Sequence, residues 1–297
     1  MSKKSVSSII TNLKNKNRFF YLEKYFNLFM NKYQIEGCDY QEENFILRRL
    51  WADGSLWAFK LKETVGSDLK PEGLNVFTPY AVSMFNIYDY PIYVNCVNIR
   101  GASFIPTTPQ RVDKDGVILY AQRDKKSVYA MVSVYIDKIV NAEVAIYLNL
   151  QVQKTPWLIG TSPEEKEKVE NLTSKILSDD PALFLELEEI DRAKALVSGA
   201  PYIIDKLYQY KNDVENELRE YLGFNNLGTT EKKEHLIVDE VQSNNEVINA
   251  SEDVFVDTIN ESFDRFNALY KTNELRLIVK QPKIEADEEE GDEDEED

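Results

Sequence analysis

The sequence predicts an α+β fold that is mainly α, and three observations support this class. First, residues 123–153 contain neither Gly nor Pro, and apolar side chains recur there with a seven-residue repeat on one helical face. Second, residues 201–222 carry one apolar stripe and precede Gly223, a residue typical of the position just after a helix. Third, residues 56–106 alternate Pro and Gly with runs of Val, Ile, Tyr and Phe, which indicates a small β-rich module.

The bulk composition limits the class of protein. With 297 residues, of which 43% are hydrophobic, the chain can form one large domain or two modest ones. No apolar run is long enough for a transmembrane helix, and the first residues lack the apolar region of a secretory signal. Cys38 and Cys96 lie far apart in the sequence, so we expect no disulfide framework and a reducing compartment.

Charge is distributed unevenly along the chain. The net charge is -17, but residues 285–297 hold 11 acidic residues and no base. That segment is predicted to be a disordered acidic tail. Residues 1–33 are basic instead, since Glu23 is their only acidic residue and their basic residues are Lys3, Lys4, Lys14, Lys16, Arg18, Lys24 and Lys32.

Apolar spacing predicts the elements of the N-terminal third. Residues 12–33 are expected to form a helix that ends at Gly37, with an apolar stripe made of Phe19, Tyr21, Leu22, Tyr25, Phe26, Phe29 and Tyr33. A second, shorter helix is expected at Glu42–Trp51. The clearest strand of the β-rich module is Ile92–Ile99.

The C-terminal half is predicted to be largely helical. Ser162–Glu165 has the pattern of a capping box with Pro at the first helical position, which starts a helix that ends near Ser178. Residues 182–190 fit either a strand or a helix. Ser251–Tyr270 is expected to form a helix, and Leu275–Val279 is expected to form a short closing strand.

The sequence shows none of the residue patterns that are typical of common enzyme active sites. There is no Gly-rich phosphate loop of the GxxxxGK or GxGxxG type. His235 is the only histidine, and its apolar neighbours favour a strand over a catalytic turn. The two cysteines lack metal-ligand spacing. We therefore predict that the protein is not an enzyme and that it binds no metal and no cofactor.

A polar segment with two adjacent lysines separates two predicted helices. It reads GTTEKKEHLIVDEVQSNNE from Gly228 to Glu246, with Lys232 and Lys233 at its centre. In an acidic chain, this pair is either an ordinary solvated loop or a contact for a negatively charged partner.

Three stretches together resemble a known family. They are QKTPWLIG from Gln153, GAPYIIDKLYQYKNDVENELREYLGF from Gly199, and EKKEHLIVDEVQSNNE from Glu231. Their order and spacing are similar to those of the portal protein, also called the upper collar or head–tail connector, of small short-tailed Bacillus-type podophages. The clear resemblance covers about residues 150–270.

The resemblance implies a ring with a central channel. In that family about twelve copies form a homo-oligomer, a dodecamer, at one vertex of the virion capsid, and long tilted helices line the channel. Double-stranded DNA passes through it during packaging and ejection. The implied partners are the capsid protein, a packaging ATPase and the lower collar or tail proteins, with assembly in the host cytoplasm and no membrane.

The resemblance also assigns segments and site residues. It implies an N-terminal helical segment with a basic arm (1–55), a β-rich wing module (56–122) and a helical stem (123–284) with a channel loop at 225–247. Composition, and not the resemblance, adds the disordered acidic tail (285–297). The residues implied to face DNA are Lys232, Lys233, Thr229, Thr230, Asn244 and Asn245. The residues implied to contact the packaging motor or nucleic acid are Lys3, Lys4, Lys14, Lys16 and Arg18.

Two other classes of function remain open at the level of sequence. An acidic scaffold or assembly protein that binds protein partners without touching DNA would also explain the acidic tail. A hydrolase that uses scattered carboxylates is the third alternative. A pore protein would form closed rings of fixed number, whereas a scaffold would form a small oligomer or none.

Overall fold

The computed structural model describes residues 6–61, 74–97, 105–154, 157–160, 194–197, 201–225, 238–272 and 274–280. The chain forms two compact units, one from Met1–Arg18 and Asp137–Asn216, the other from Phe19–Ile136 and Glu217–Asp297. The expectations for Ser162–Ser178 and residues 182–190 lie outside the described residues.

The described elements are five helices and ten short strands, so the prediction of a mixed, mainly helical fold is confirmed. The helices are α1 (Val6–Lys32), α2 (Tyr40–Asp53), α3 (Val128–Lys154), α4 (Ile204–Tyr221) and α5 (Val238–Tyr270). The strands are β1 (Tyr33–Glu36), β2 (Ser55–Leu61), β3 (Leu74–Thr78), β4 (Tyr80–Phe85), β5 (Pro91–Cys96), β6 (Gln110–Arg111), β7 (Val117–Tyr120), β8 (Trp157–Gly160), β9 (Lys194–Val197) and β10 (Arg276–Val279).

Helix α2 has a polar cap at its start and a glycine at its end. The Asp39 carboxylate accepts hydrogen bonds from the backbone of Gln41 and Glu42, and the Glu42 side chain accepts one from the backbone of Asp39. Gly54 ends the helix in the left-handed region at φ 76°, where a Cβ would lie 2.5 Å from the Lys126 carbonyl oxygen. These two caps place α2 directly before β2.

The β-rich module consists of two three-stranded antiparallel sheets. Their strand orders are β3-β2-β7 and β4-β5-β6. Both sheets bury side chains in one apolar cluster formed by Trp57, Phe59, Val76, Val94 and Ile118. Burial of these large side chains removes apolar surface from water and holds the two sheets together. The described parts of residues 56–106 form strands, as predicted.

The predicted closing strand at Leu275–Val279 is present as β10, but the strand that pairs with it, β1, was not predicted from the sequence. Strand β10 pairs antiparallel with β1, with Ile35 opposite Leu277. The sequence predicted a helix over residues 12–33 with Gly37 as its stop signal. The helix begins earlier, at Val6, and ends at Lys32, and residues 33–36 before the glycine form β1. On its other side, β10 meets Asn260 of α5, whose side chain donates to the Leu277 carbonyl and accepts from the Leu277 amide. Asn260 thus substitutes for a neighbouring strand.

Helix α1 buries a narrower stripe than the sequence predicts. Tyr21, Tyr25 and Phe29 are buried at four-residue intervals. Phe19 was placed in this stripe, but Phe19 and Phe20 are 66% and 61% exposed. A helix turns 100° per residue, so the seven apolar positions of the predicted stripe, six of them aromatic, are spread too widely around the helix for one buried face.

The two long helices at 123–153 and 201–222 are confirmed as α3 and α4, but the last helix begins earlier than predicted. Helix α5 starts at Val238 instead of Ser251. Residues 238–250 contain no Gly or Pro, and Ile248 is buried, so packing extends the helix through residues of modest helix propensity.

In the unit that contains Asp137–Asn216, polar contacts join helices α3 and α4. Lys211 of α4 forms a 3.0 Å ion pair with Glu143 of α3. The Asn149 side chain of α3 donates to the Pro201 carbonyl just before α4. Strands β8 and β9 pair antiparallel in the same unit.

Candidate functional site

The polar segment with paired lysines, Gly228–Glu246, follows α4 in the sequence, and its residues from Val238 onward belong to α5. Lys232, Lys233, Thr229 and Thr230 lie outside the described residues. Asn244 and Asn245 lie within α5, so the predicted loop at 225–247 was too long at its C-terminal end.

The end of α4 has a well-defined geometry. Gly223 adopts φ +69°, as expected for a residue just after a helix. The Gly223 amide donates to the Glu220 carbonyl at 2.9 Å, and the Phe224 amide donates to the Arg219 carbonyl at 2.7 Å. This pair of hydrogen bonds is a Schellman motif, which reverses the chain direction at the helix end.

Lys32 of α1 contacts this helix end and α5 at once. Its Nζ donates to the carbonyls of Gly223 at 2.6 Å and Leu222 at 3.2 Å, and it lies 3.3 Å from a carboxylate oxygen of Glu252. The same Nζ lies 4.8 Å from the centroid of the Phe224 ring. The Lys32 side chain is only 8% exposed. The sequence showed Lys32 only as one of the basic residues of 1–33, because charge alone does not reveal burial.

Burial changes the protonation equilibrium of Lys32. Desolvation lowers the pKa of Lys32 below its usual value, although the charge of Glu252 and the hydrogen bond to it act in the opposite direction. Tyr33, the next residue, has a raised pKa because its hydroxyl is buried and because the Glu252 carboxylate is near.

The described residues of the predicted basic arm differ in their surroundings: two lysines are exposed, and the arginine forms an ion pair. Lys3 and Lys4 lie outside the described residues, whereas Lys14 and Lys16 are exposed on α1. Arg18 is half-buried, and its Nε donates to Asp137 of α3 at 2.8 Å. Lys14 and Lys16 are therefore better placed than Arg18 to bind a partner.

A groove of about 910 Å³ lies beside the β-rich module and α5. Two ion pairs lie on its rim, Arg123 with Glu261 and Arg265 with Asp113, and the lining also includes one further base, Lys125, and one further acid, Asp264. Arg265 also donates to the Ile118 carbonyl at 2.9 Å. Because these charges are matched within the chain, the groove has no excess of either sign.

The described residues show no cluster that suggests a metal site or a membrane span. No group of three or more His, Cys, Asp or Glu side chains there could hold a metal ion. No helix among them is long and apolar enough to cross a bilayer. Cys96 is partly buried, which raises the pKa of its thiol to about 11 and makes it a poor nucleophile at neutral pH. His235 lies outside the described residues.

Comparison with known proteins gives a family match over almost the whole chain and similarities to solved structures. The family model described as Phage Connector (GP10) matches residues 2–283. The chain also resembles a solved structure titled "Portal and tail of native bacteriophage P68", with 12% identity and a TM-score of 0.48, over 96% of this chain and 94% of that one. An HK97-family phage portal protein from Corynebacterium diphtheriae matches with 8% identity and a TM-score of 0.43, over 81% and 79% of the two chains.

Proposed function

The chain belongs to the phage connector family, and we propose that its copies enclose a channel through which double-stranded DNA enters and leaves the capsid. The family match over residues 2–283 is the observation that carries this proposal. The protein is a head–tail connector, or portal, and thus a virion component at the capsid vertex. Family membership does not favour the alternative of a scaffold without DNA contact.

The family implies a multimeric ring that contacts the capsid and the tail. It is a structural family and not one known for catalysis. In the proposal, this ring is a dodecamer of the kind found in small short-tailed Bacillus-type podophages. It also receives a packaging ATPase, whose contacts include Lys14, Lys16 and the rest of the basic arm, and it binds the lower collar or tail proteins. Assembly in the host cytoplasm is part of the same proposal.

Simple geometry is compatible with about twelve copies. Packed helices lie about 8–10 Å apart, so a ring of about twelve has a circumference of roughly 100–120 Å at the helix axes. Its diameter there is roughly 32–38 Å, and inward-facing side chains remove about 10 Å. The remaining channel is slightly wider than duplex DNA. We propose that long, tilted helices line this channel, with residues 56–122 as the outer wing.

The first experiment is native mass spectrometry of the purified chain, combined with negative-stain electron microscopy of the same sample. Closed rings of one fixed number, with a central hole, are the expected result. A monomer or a small open oligomer at high protein concentration would contradict the proposed channel and would favour a protein-binding scaffold.

We further propose that Lys232 and Lys233 form a basic collar that contacts DNA phosphates within an otherwise acidic channel. A fully basic channel would hold DNA tightly at every step, because duplex DNA carries one negative charge per about 1.7 Å of its length. A narrow collar allows movement while it restrains DNA that has already been packaged. Thr229, Thr230, Asn244 and Asn245 are proposed as its uncharged polar flank.

Replacing both lysines with alanine is expected to leave ring assembly intact and to weaken DNA retention. We expect packaged particles to lose DNA on the order of tenfold faster, which corresponds to about 1.4 kcal/mol. The difference from the unaltered protein should shrink as salt is added, because salt screens phosphate contacts.

The matched control is the double variant Lys114→Ala and Lys271→Ala, which removes the same charge from two exposed positions in the described part of the chain. It should retain DNA normally. Normal retention by the Lys232 and Lys233 variant, with intact rings, would exclude the collar but would leave the connector function standing.

A further inference from the structure

The turn between β4 and β5 exposes a large apolar surface. Residues 84–90 read MFNIYDY, and five of these seven side chains are large, apolar or aromatic, and exposed. We call these five the hairpin patch: Met84, Phe85, Ile87, Tyr88 and Tyr90. Their exposed fractions range from 52% at Met84 to 88% at Ile87. An aromatic side chain offers roughly 150–250 Å², so the hairpin patch presents on the order of 600 Å² of mostly apolar surface.

An irregularity in β4 explains why two neighbouring side chains of the patch are exposed together. Regular strand alternation would place Met84 and Phe85 on opposite faces of the sheet. The pairing of β4 with β5 shifts register between Val82 and Met84, and again between Met84 and Phe85. Such an irregularity redirects side chains, and both Met84 and Phe85 are about half exposed.

Hydrogen bonds fix the backbone of the turn and leave the apolar side chains outside. The Asn86 amide donates to the Tyr90 carbonyl, and the Asn86 Oδ1 accepts from the amides of Tyr88 and Tyr90, each at 2.9 Å. Asp89 adopts φ 58°, in the left-handed region that Asp tolerates better than most residues. The Lys125 Nζ donates to the Asp89 carbonyl at 3.2 Å and lies 3.7 Å from the centroid of the Tyr90 ring. Because the turn is already ordered, docking it on a partner costs little conformational entropy.

The composition of the hairpin patch fits a permanent protein interface. Asp89 is the only charged residue in 84–90. In the cores of protein interfaces Tyr, Phe and Met are enriched and charged residues are depleted. A standard interface buries about 800 Å² on each partner, and interfaces between permanently associated copies are the more apolar ones. The hairpin patch supplies most of that area, and an exposed apolar patch of this size marks an interaction site.

The family provides a permanently present partner, because it implies a multimeric ring. In a closed ring each copy presents one surface to the copy before it and a different surface to the copy after it. We infer that the hairpin patch is one of these two surfaces: the β4–β5 turn of each subunit docks on the neighbouring copy, which covers its apolar side chains. This inference rests on the ring of the proposed function, and it is independent of the channel and of the paired lysines.

The first test is photo-crosslinking within purified rings of the full chain, with the variant Tyr88→p-benzoylphenylalanine. The sample contains no other protein, so every crosslinked product joins two copies of the chain. We expect covalent dimers and larger multiples, because a head-to-tail contact repeats around a ring. The matched control is Tyr40→p-benzoylphenylalanine, at a tyrosine of α2 that is 81% exposed and has no part in the hairpin patch. It should give far fewer crosslinks.

The second test measures whether the contact stabilises the ring, with Ile87→Ser and Tyr88→Ser combined. Native mass spectrometry of a dilution series gives the concentration at which half of the rings dissociate. We expect that concentration to rise by about tenfold or more, because apolar side chains at the centre of an interface contribute most to its affinity. Circular dichroism should stay unchanged, since both side chains are exposed in the subunit. The matched control combines Tyr40→Ser and Val254→Ser, two other exposed apolar positions, and should dissociate like the unaltered protein.

Complete loss of rings in the Ile87 and Tyr88 variant, with an unchanged spectrum, counts as the expected result. Equal crosslinking at positions 88 and 40 would overturn the inference, and so would rings of unchanged stability. Crosslinks from position 88 to the capsid protein alone, in assembled particles, would also overturn it and would assign the hairpin patch to the capsid. If the unaltered chain forms no rings, the proposed channel fails together with this contact. If rings form and the hairpin results are negative, only this inference fails.

Discussion

Replacing Lys32 alone with methionine is expected to destabilise the protein by about 3–5 kcal/mol, the usual cost of removing one partner of a buried ion pair. The variant leaves the Glu252 carboxylate, which is 17% exposed, without its counter-ion. It also leaves the carbonyls of Leu222 and Gly223 without the donor that caps them. The Glu252 carboxylate and the two carbonyls lose hydration on folding, and in this variant no hydrogen bond or ion pair to Lys32 replaces it.

Denaturant unfolding at a fixed protein concentration measures this effect, since the stability of an oligomer depends on concentration. The double variant Lys32→Met and Glu252→Met is expected to be much closer to the unaltered protein, because two apolar side chains of similar size replace the pair. A loss below about 1 kcal/mol in the single variant would show that water reaches the Glu252 carboxylate freely, and that the pair behaves as a surface salt bridge.

Alkaline pH is expected to unfold the protein, chiefly through Tyr33. Its hydroxyl is buried and has no hydrogen-bond partner among the described residues. Burial raises its pKa well above the ordinary value of 10.0. In the unfolded chain the phenol ionises near its ordinary pKa, whereas in the folded protein it stays neutral. Stability is therefore complete below about pH 10 and falls by up to about 1.4 kcal/mol per pH unit above it.

Other groups modify this slope. Burial raises the pKa of Tyr221 to about 12 and also raises that of Tyr120, and both tyrosines act in the same direction as Tyr33. These two are partly exposed, so solvent weakens their contribution. Lys32 acts in the opposite direction: its pKa is lowered in the fold, so its contribution rises with pH between the lowered value and 10.5.

The measurement is the melting temperature between pH 9 and pH 12, for the unaltered protein and for Tyr33→Phe. The phenylalanine variant should equal or exceed the unaltered protein at pH 8, because it removes an unpaired buried hydroxyl. Above pH 10 its melting temperature should fall less steeply. Equal slopes for the two proteins would show that the Tyr33 hydroxyl is not protected from ionisation in the fold.

Local sequence signals determined the parts of the fold whose causes are local. The Gly- and Pro-free segment at 123–153 became α3, and the stripe before Gly223 became α4 with a left-handed residue after it. These elements could be predicted because helix periodicity and the φ preference of glycine act within a few residues. That the chain is a phage portal protein could also be inferred from three stretches of sequence, and the match of the phage connector family over residues 2–283 confirmed that part of the inference.

Contacts between residues distant in sequence could be seen only in the tertiary structure. Strand β1 was missed because its partner, β10, is more than two hundred residues away. Pairing with β10, which is itself bonded to Asn260 through Leu277, overrides the helical pattern before β1. Phe19 was predicted to be buried because it is aromatic, but burial depends on its tertiary surroundings, and in the structure it is exposed. Lys32 looked like one more cation of a basic arm, yet the fold encloses its amino group between two helix segments. The reason is the same in each case: periodicity depends on near neighbours in the chain, whereas burial and charge pairing depend on neighbours in space.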